Sequence, residues 1–148
     1  MNNKKRYLEN IITEPNHGKR ILAGSIDYMF IGTFYFAYLF AFGESNNQGG
    51  YAVYGLMTLP PLFFWGIFTI GFEQWFDATL GNQIVGLRPI SINGINRELT
   101  FGQSLKRHLL DFIDMFFFGI IGIILIQKTE KNQRIGDIWA ETIVIEGK

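Results

Sequence analysis

Residues 21–42, ILAGSIDYMFIGTFYFAYLFAF, decide the fold, because they run for 22 residues with one charged side chain, Asp27. A second run of 22 residues, 51–72, carries no charge. A bilayer core of about 30 Å is crossed by about 20 helical residues, so each run is long enough to span it. A chain of 148 residues has too little other surface to enclose two such helices in a soluble core. The first run is also too long, and starts too late, for a signal peptide.

The bulk composition argues against several classes of function. Lysine and arginine number 13, as do aspartate and glutamate, so no overall charge attracts nucleic acid. The chain has no cysteine for a disulfide or a thiolate metal site, and His17 and His108 stand far apart in sequence. No nucleophile with a neighbouring base and no glycine-rich phosphate loop occurs. We therefore expect no enzyme, no cofactor and no metal, and a lipid bilayer as the surrounding partner.

The positions of the basic residues predict the sides of the membrane on which the loops lie. The polar segment 1–17 and the start of the first span carry five lysines and arginines, whereas the loop 43–50, GESNNQGG, has none. Four basic residues lie between Glu73 and His108, and four follow Ile126. Lysine and arginine concentrate on the cytoplasmic side of membrane proteins. The pattern predicts an external loop 43–50 and places both termini in the cytoplasm.

Two short segments outside the apolar runs have the pattern of β-strands. Residues 84–94, IVGLRPISING, alternate around Ile90 and end in the hairpin signal Asn93-Gly94. Residues 141–146, ETIVIE, form the natural partner for 87–92. Between them, Thr100 and Gln103 have the spacing of a capping box that starts a helix. We expect a short strand pair on the cytoplasmic side.

The third apolar segment, 109–126, is ambiguous. Asp111 and Asp114 lie near its start, and its uncharged part, 115–126, is too short to cross a bilayer alone. We favour a re-entrant or kinked hairpin over 101–127, turning near Gly119 and Gly122, rather than a single crossing. A strand pair cannot form across a bilayer, and the hairpin keeps every basic residue inside. The predicted fold class is an all-α membrane protein with two transmembrane helices, a third re-entrant or transmembrane helical segment, and a short cytoplasmic β-strand pair.

Charged residues within or beside the helices are the candidate functional groups. A carboxylate inside a spanning helix costs about 3 kcal/mol, so Asp27 needs a polar partner. Arg20 lies two helical turns earlier on the same face, where it can reach toward Asp27 or pair with another helix. Ser104, Arg107, Asp111 and Asp114 share one stripe of the third helix and predict a polar surface that meets Arg20 and Asp27. The remaining candidates are Glu73 at the end of the second span, the i, i+3 pair Arg134 and Asp137 near the C-terminus, and His108, interpreted as an interface-level polar residue.

Three of these stretches together resemble the RDD family of membrane proteins, which is named for one arginine and two aspartates. They are GKRILAGSID at 18–27, ATLGNQIVGLRPI at 78–90 and QRIGDIWAETIVI at 133–145. The resemblance covers 18–145 and identifies the named residues as Arg20, Asp27 and Asp137. The chain departs from the family pattern at two positions, with Asn82 where lysine is common and Glu141 where glycine is common.

The resemblance implies a multi-pass protein of the bacterial inner membrane, with an RDD-type membrane domain at 18–148. It implies transport of ions or small solutes, and we interpret Asp27 and Asp137, with Asp111 or Asp114, as a path for a proton or a monovalent cation tuned by Arg20. A supporting polar network would comprise Glu73, Arg107, Asp111, Asp114 and Arg134. A chain this small favours a homo-oligomer if it forms a pore. The alternative hypothesis is a membrane interaction or assembly protein in which the same charges form a purely structural network.

Overall fold

The first span is a single long helix. The computed structural model describes residues 13–46, 49–93, 98–111, 113 and 120–147, and in it helix α1 extends over His17–Phe42. It contains no proline, and it ends where Gly43 turns into extended backbone, with its amide N–H donating to the carbonyl of Leu39. A two-stranded hairpin, β1 (Glu44–Ser45) with β2 (Tyr51–Ala52), follows. This hairpin was not predicted from the sequence.

The second span changes its helical geometry along its length. It runs as a 3₁₀ turn (Gly55–Thr58), helix α2 (Leu59–Gly66), a π-helical segment (Ile67–Gly71) and helix α3 (Phe72–Phe76). The two prolines, Pro60 and Pro61, lie in the first turn of α2, where a missing backbone N–H leaves no hydrogen bond unmade. A π-helical turn inside a helix widens it and is common at functional sites.

The two spans pack side by side through aromatic rings. Phe34 of α1 stacks on Phe64 of α2, with ring centroids 3.8 Å apart and planes 8° apart. The outward sides of both helices are apolar and exposed, including Phe36, Phe40 and Phe63. Over the part of the chain that the structure describes, these two helices, His17–Phe42 and Gly55–Phe76, are the ones long and apolar enough to cross a membrane. Their exposed apolar sides are what lipid covers in a membrane protein.

A small polar unit follows the second span. Helix α4 (Leu80–Ile84) leads into strand β3 (Leu87–Ser91), which pairs antiparallel with β4 (Thr142–Glu146) in the register Leu87 opposite Glu146 and Ser91 opposite Thr142. This is the predicted strand pair. The side chain of Lys19 in α1 pairs with Glu146, so the end of β4 lies beside the start of α1.

Helix α5 (Phe101–Leu109) is amphipathic, but its polar side is buried and its apolar side is exposed, the opposite of a surface helix in a soluble protein. The predicted capping box of Thr100 and Gln103 starts it. Its buried side carries Ser104, Arg107 and His108, whereas Phe101 and Leu109 are 63% and 44% exposed. The buried polar side faces the protein interior, and the apolar side faces outward.

Two further short helices complete the chain, α6 (Ile120–Lys128) and α7 (Ile135–Trp139). The ammonium group of Lys106 lies 5.7 Å from the centre of the Trp139 ring. Gly122 lies inside α6, which begins at Ile120, so the turn predicted near Gly119 and Gly122 would have to precede Ile120. Gly119 and Asp114 lie outside the described residues. A third span is not found in the described part of 101–127.

Candidate functional site

Arg107 lies at the centre of a buried cluster of charges. Its guanidinium Nε is 3.2 Å from Glu73 of α3, and its Nη1 is 2.5 Å from Asp137 of α7 and donates to the hydroxyl of Thr142 at 3.1 Å. Arg107, Glu73 and Asp137 are at most 1% exposed. A charge buried this deeply is stable only when it is paired and hydrogen-bonded. Arg107 therefore joins α3, α7 and β4.

The neighbouring residue, His108, bridges two carboxylates. Its Nδ1 is 2.7 Å from Asp111 and its Nε2 is 3.5 Å from Glu73. Burial alone would lower the pKa of His108, but the carboxylates of Asp111 and Glu73 outweigh it and raise the pKa to about 9. The imidazole is therefore a cation at neutral pH. The sequence interpretation of His108 as an interface-level polar residue did not foresee that its side chain faces inward among acids.

Arg134 closes the cluster into a ring. Its Nη1 is 2.7 Å from Asp111 and its Nε is 3.7 Å from Asp137. Burial alone would raise the pKa of Asp111, but Arg134 and His108 lower it. Charges of opposite sign thus alternate around a closed path, which we call the charged ring: Arg107, Glu73, His108, Asp111, Arg134 and Asp137.

Arg20 attaches α1 to this ring rather than to Asp27. Its Nη1 is 3.5 Å from Asp137, and its Nη2 donates to the carbonyl of Asn132 at 3.0 Å. Arg20 and Arg107 share Asp137 as a partner, so Arg20 reaches the polar stripe of the third segment indirectly, through α7. A local pair of Arg20 with Asp27 is not formed, because Arg20 points toward the segment before α7.

Asp27 has neutral hydrogen-bond partners. Its Oδ1 accepts from the backbone N–H of Gly81 at 2.7 Å, and its carboxylate is also hydrogen-bonded to the hydroxyl of Thr79. Among the residues that the structure describes, no lysine, arginine or histidine nitrogen forms an ion pair with Asp27 within 4 Å. Asp27 is 6% exposed. Of the candidate carboxylates that the structure describes, Asp27 is the one that lies apart from the charged ring.

Two glycines bring the short helices close enough to make these contacts. A Cβ atom on Gly81 would lie 2.1 Å from the carbonyl oxygen of Ala23, and a Cβ atom on Gly136 would lie 2.5 Å from that of Arg107. Only glycine permits such an approach of two backbones. Gly81 therefore sets α4 against α1 beside Asp27, and Gly136 sets α7 against α5 beside the Arg107–Asp137 pair.

A cavity of about 320 Å³ separates Asp27 from the charged ring. Its polar lining includes Arg20, Asp27 and Thr79, and its apolar lining includes Ile21 and Ile126. From the charged ring, the cavity is lined by Arg107, His108, Asp111 and Arg134. Thr69, in the π-helical segment, also lines it. The cavity therefore has a carboxylate, a set of cationic groups and apolar walls.

Two departures from the family pattern have different surroundings. Asn82 lines the cavity beside Thr79, so this chain presents an amide where lysine is common. Glu141 has a φ of 53°, the left-handed region that glycine adopts most easily, which explains why glycine suits this position. Among the residues that the structure describes, no group of three metal-ligating side chains is arranged to hold a metal ion.

Sequence reasoning missed the partners of Asp27 and the role of His108. Thr79 and Gly81 lie in the quoted stretch 78–90, but only the fold shows that this stretch returns to α1. His108 follows Arg107 directly, and its i, i+3 spacing to Asp111 was the signal that could have identified it.

Comparison with known proteins supports one assignment. The model of the RDD family matches residues 15–141, most of the 148-residue chain. The matched range contains Arg20, Asp27 and Asp137. No curated protein and no solved structure matches the chain.

Proposed function

The chain belongs to the RDD family of membrane proteins, and from this premise we propose that it transports protons across the membrane coupled to a second small ion or solute. Asp27 is the group that binds the proton. The observation that carries the proposal is the position of Asp27, inside a candidate span, on the wall of a cavity and outside the charged ring. An ionisable residue within a membrane helix favours a role in an ion or proton path.

The acidic residues of the site differ in their contacts, and this difference supports different roles for them. Glu73, Asp111 and Asp137 each form an ion pair with an arginine. The partners of Asp27 are a backbone N–H and a hydroxyl. A hydroxyl can accept a hydrogen bond as well as donate one, so Thr79 can serve Asp27 with or without its proton. Asp27 is therefore the carboxylate best placed to change its protonation.

The proposed topology places both termini in the cytoplasm of a bacterial cell. Two contacts support this topology, the pairing of β3 with β4 and the ion pair of Lys19 with Glu146. They bring the start of α1, the region after the second span and the C-terminal strand together, so all three lie on the same side of the membrane. In this topology the segment 101–127 starts on the cytoplasmic side of the membrane and returns to it. With two candidate spans among the described residues, a transport path favours a homo-oligomer.

The test is proton flux in vesicles. The purified protein is reconstituted into liposomes that contain a pH-sensitive dye, and flux is driven in turn by gradients of sodium, potassium and small anions. We expect flux in the wild type and its loss in Asp27→Asn. The matched control is Asp77→Asn, the same chemical change at an exposed position whose φ of 65° suits asparagine. Flux that persists unchanged in Asp27→Asn contradicts the proposal.

A second candidate function is a non-transporting membrane assembly protein. The charged ring favours it, because a closed set of buried ion pairs can fix the packing of helices without carrying ions. This candidate predicts no flux under any gradient and the same partner proteins co-purifying with the wild type and with Asp27→Asn.

A further inference from the structure

We propose that the outer side of α5 and α7 binds an anionic phospholipid of the membrane that the chain spans. The acyl chains of the lipid contact the exposed apolar residues of these two helices, and its phosphate group contacts the ammonium group of Lys106. The proposal goes beyond the proposed function, and it does not depend on what the chain transports, because the residues that carry it lie outside the cavity and the charged ring.

Large apolar side chains on α5 and α7 are exposed. Phe101 and Leu109 of α5 are 63% and 44% exposed, and Ile138 and Trp139 of α7 are 48% and 49% exposed. Apolar side chains exposed as a group mark a surface that contacts a membrane or another protein. We call these four residues, together with Lys106, the docking surface.

Buried polar contacts between the two helices fix the docking surface in its outward orientation. The side chain of Gln103 donates to the carbonyl of Ala140 at 3.0 Å, and Arg107 pairs with Asp137. These contacts lie on the inner sides of both helices. Turning either helix to bury its apolar residues would break them and leave buried polar groups without partners, which is costly. The apolar side therefore stays exposed unless lipid or another molecule covers it.

The docking surface adjoins the apolar side of the second span. The side chain of Gln74, in α3, donates to the hydroxyl of Ser104 at 2.8 Å and so joins the end of this span to α5. Its neighbours Trp75 and Phe76 are 67% and 56% exposed. Tryptophan is enriched where membrane helices meet the headgroup layer. The surface that lipid covers along the second span therefore continues onto α5 and α7.

Lys106 gives the docking surface its charge. Within α5 and α7, which the structure describes in full, Lys106 is the exposed charged residue, since Arg107, His108 and Asp137 are buried. Its ammonium group lies 5.7 Å from the centre of the Trp139 ring, so it connects the two helices on their outer side. A lysine beside apolar residues can keep its carbon chain in hydrocarbon while its ammonium group reaches the polar headgroups.

This charge favours an anionic lipid over a protein partner. Lysine is depleted in the cores of protein–protein interfaces, whereas Lys106 lies beside Trp139 on the apolar side. The cytoplasmic leaflet of a membrane carries anionic lipids, which attract basic residues near its surface. An apolar surface with one ammonium group matches a molecule that has acyl chains and a negatively charged phosphate.

The test is quenching of Trp139 fluorescence by brominated lipids around the full chain in nanodiscs. The substitutions Trp65→Phe and Trp75→Phe leave Trp139 as the single tryptophan. Phosphatidylglycerol or phosphatidylcholine with brominated acyl chains is mixed into unbrominated phosphatidylcholine. We expect both lipids to quench Trp139, and phosphatidylglycerol to do so with about fivefold higher relative affinity, the value for one lysine beside anionic lipid.

Variants of Lys106 test the contact with the phosphate group. Lys106→Gln should remove the preference for phosphatidylglycerol, whereas Lys106→Arg should keep it, because arginine also carries a positive charge. The matched control is Lys19→Gln, the same chemical change at an exposed lysine of α1 that pairs with Glu146, and it should leave the preference at Trp139 unchanged.

A second measurement keeps the proposal testable if the double tryptophan variant fails to fold. Native mass spectrometry counts the phosphatidylglycerol molecules that the chain retains on release from micelles. Lys106→Gln, with its tryptophans intact, should retain less phosphatidylglycerol than the wild type, and Lys19→Gln should retain as much as the wild type.

Four outcomes would overturn the proposal. Equal affinity for the two lipids shows that the docking surface does not select anionic lipid, and a preference that survives Lys106→Gln shows that Lys106 does not bind the phosphate. Trp139 that no lipid quenches shows that protein or water covers the docking surface. Displacement of phosphatidylglycerol by soluble glycerol phosphate, at constant ionic strength, identifies a site for a free phosphate. The presence or absence of proton flux bears on the proposed function alone.

Discussion

The backbone N–H of Gly81 donates a 2.7 Å hydrogen bond to the carboxylate of Asp27, and it reaches Asp27 because the Gly81 backbone lies directly against Ala23. One residue without a side chain therefore sets both the packing of α4 on α1 and the surroundings of the membrane carboxylate.

Gly81→Ala should move α4 away from α1. The added Cβ atom would lie 2.1 Å from the carbonyl oxygen of Ala23, so the backbone must shift, and overpacking of this kind costs about 1–3 kcal/mol. We expect a lower thermal midpoint in detergent and reduced proton flux. The control is Gly102→Ala on α5, where nothing lies within 4 Å of the new methyl group and the midpoint should not fall. Equal behaviour of the two variants would contradict the proposed packing role.

Arg107→Gln should destabilise the protein strongly. It leaves Glu73 and Asp137 buried with one partner fewer each, and breaking a buried ion pair costs about 3–5 kcal/mol. The measurement is the midpoint of unfolding in mixed micelles. Lys106→Gln, at the adjacent exposed position on the same helix, is the control and should change the midpoint little. A loss no larger than that of Lys106→Gln would show that the charged ring does not hold the elements together.

The imidazole of His108 should titrate near pH 9. Its pKa is raised above the ordinary value of 6.5, so its contribution to stability is fully present below about pH 6.5 and is lost as pH rises through about 9. Histidine side-chain NMR in micelles measures this pKa, with His17→Gln used to assign the signal. Asp111→Asn should bring the pKa down, because it removes the nearest carboxylate. A His108 that titrates at its ordinary pKa would contradict the ion pairs.

The apolar side of α5 should contact lipid. The chain has no cysteine, so Phe101→Cys and Leu109→Cys give single sites for nitroxide labels. In vesicles these labels should be more accessible to oxygen than to a water-soluble nickel complex, and a label at Glu146→Cys, on the exposed end of β4, should show the reverse. Preferential access of the nickel complex to Phe101→Cys would place α5 in water.

A cysteine at position 148 should react only from the cytoplasmic side. Glu146 pairs with Lys19 near the start of α1, so the C-terminus should share the side of the N-terminus. Labelling of intact cells with a membrane-impermeant maleimide should therefore fail until the membrane is opened. A cysteine at position 49, in the predicted external loop, is the positive control.

Much of the fold followed from local patterns in the sequence. The two long apolar helices, the strand pair and the capping box of Thr100 and Gln103 are confirmed, because length, alternation and cap spacing are local properties. The β1–β2 hairpin was missed, since its strands have two residues each and carry no alternation. Gly122 lies within α6, because a glycine within an apolar run does not by itself end a helix, and the turn predicted near Gly119 and Gly122 stays a prediction.

The candidate site was predictable in its members but not in its pairing. Arg20, Asp27 and Asp137 were named from the sequence, yet Arg20 reaches Asp137 and Asp27 reaches Gly81. Helical spacing brings residues to one face, but it does not say which other segment meets that face. One partner of Asp27 is a backbone N–H. Every residue other than proline has such a group, so the residue types in the sequence do not indicate which one binds Asp27.

The Arg20–Asp137 pair also constrains the order of assembly during synthesis. Arg20 is synthesised with α1, whereas its carboxylate partner, Asp137, follows both candidate spans and α5 in the chain. Arg20 therefore lacks this acid until α7 has been made. Docking of α7 and β4 supplies it, so removal of α7 and β4 should leave Arg20 without Asp137.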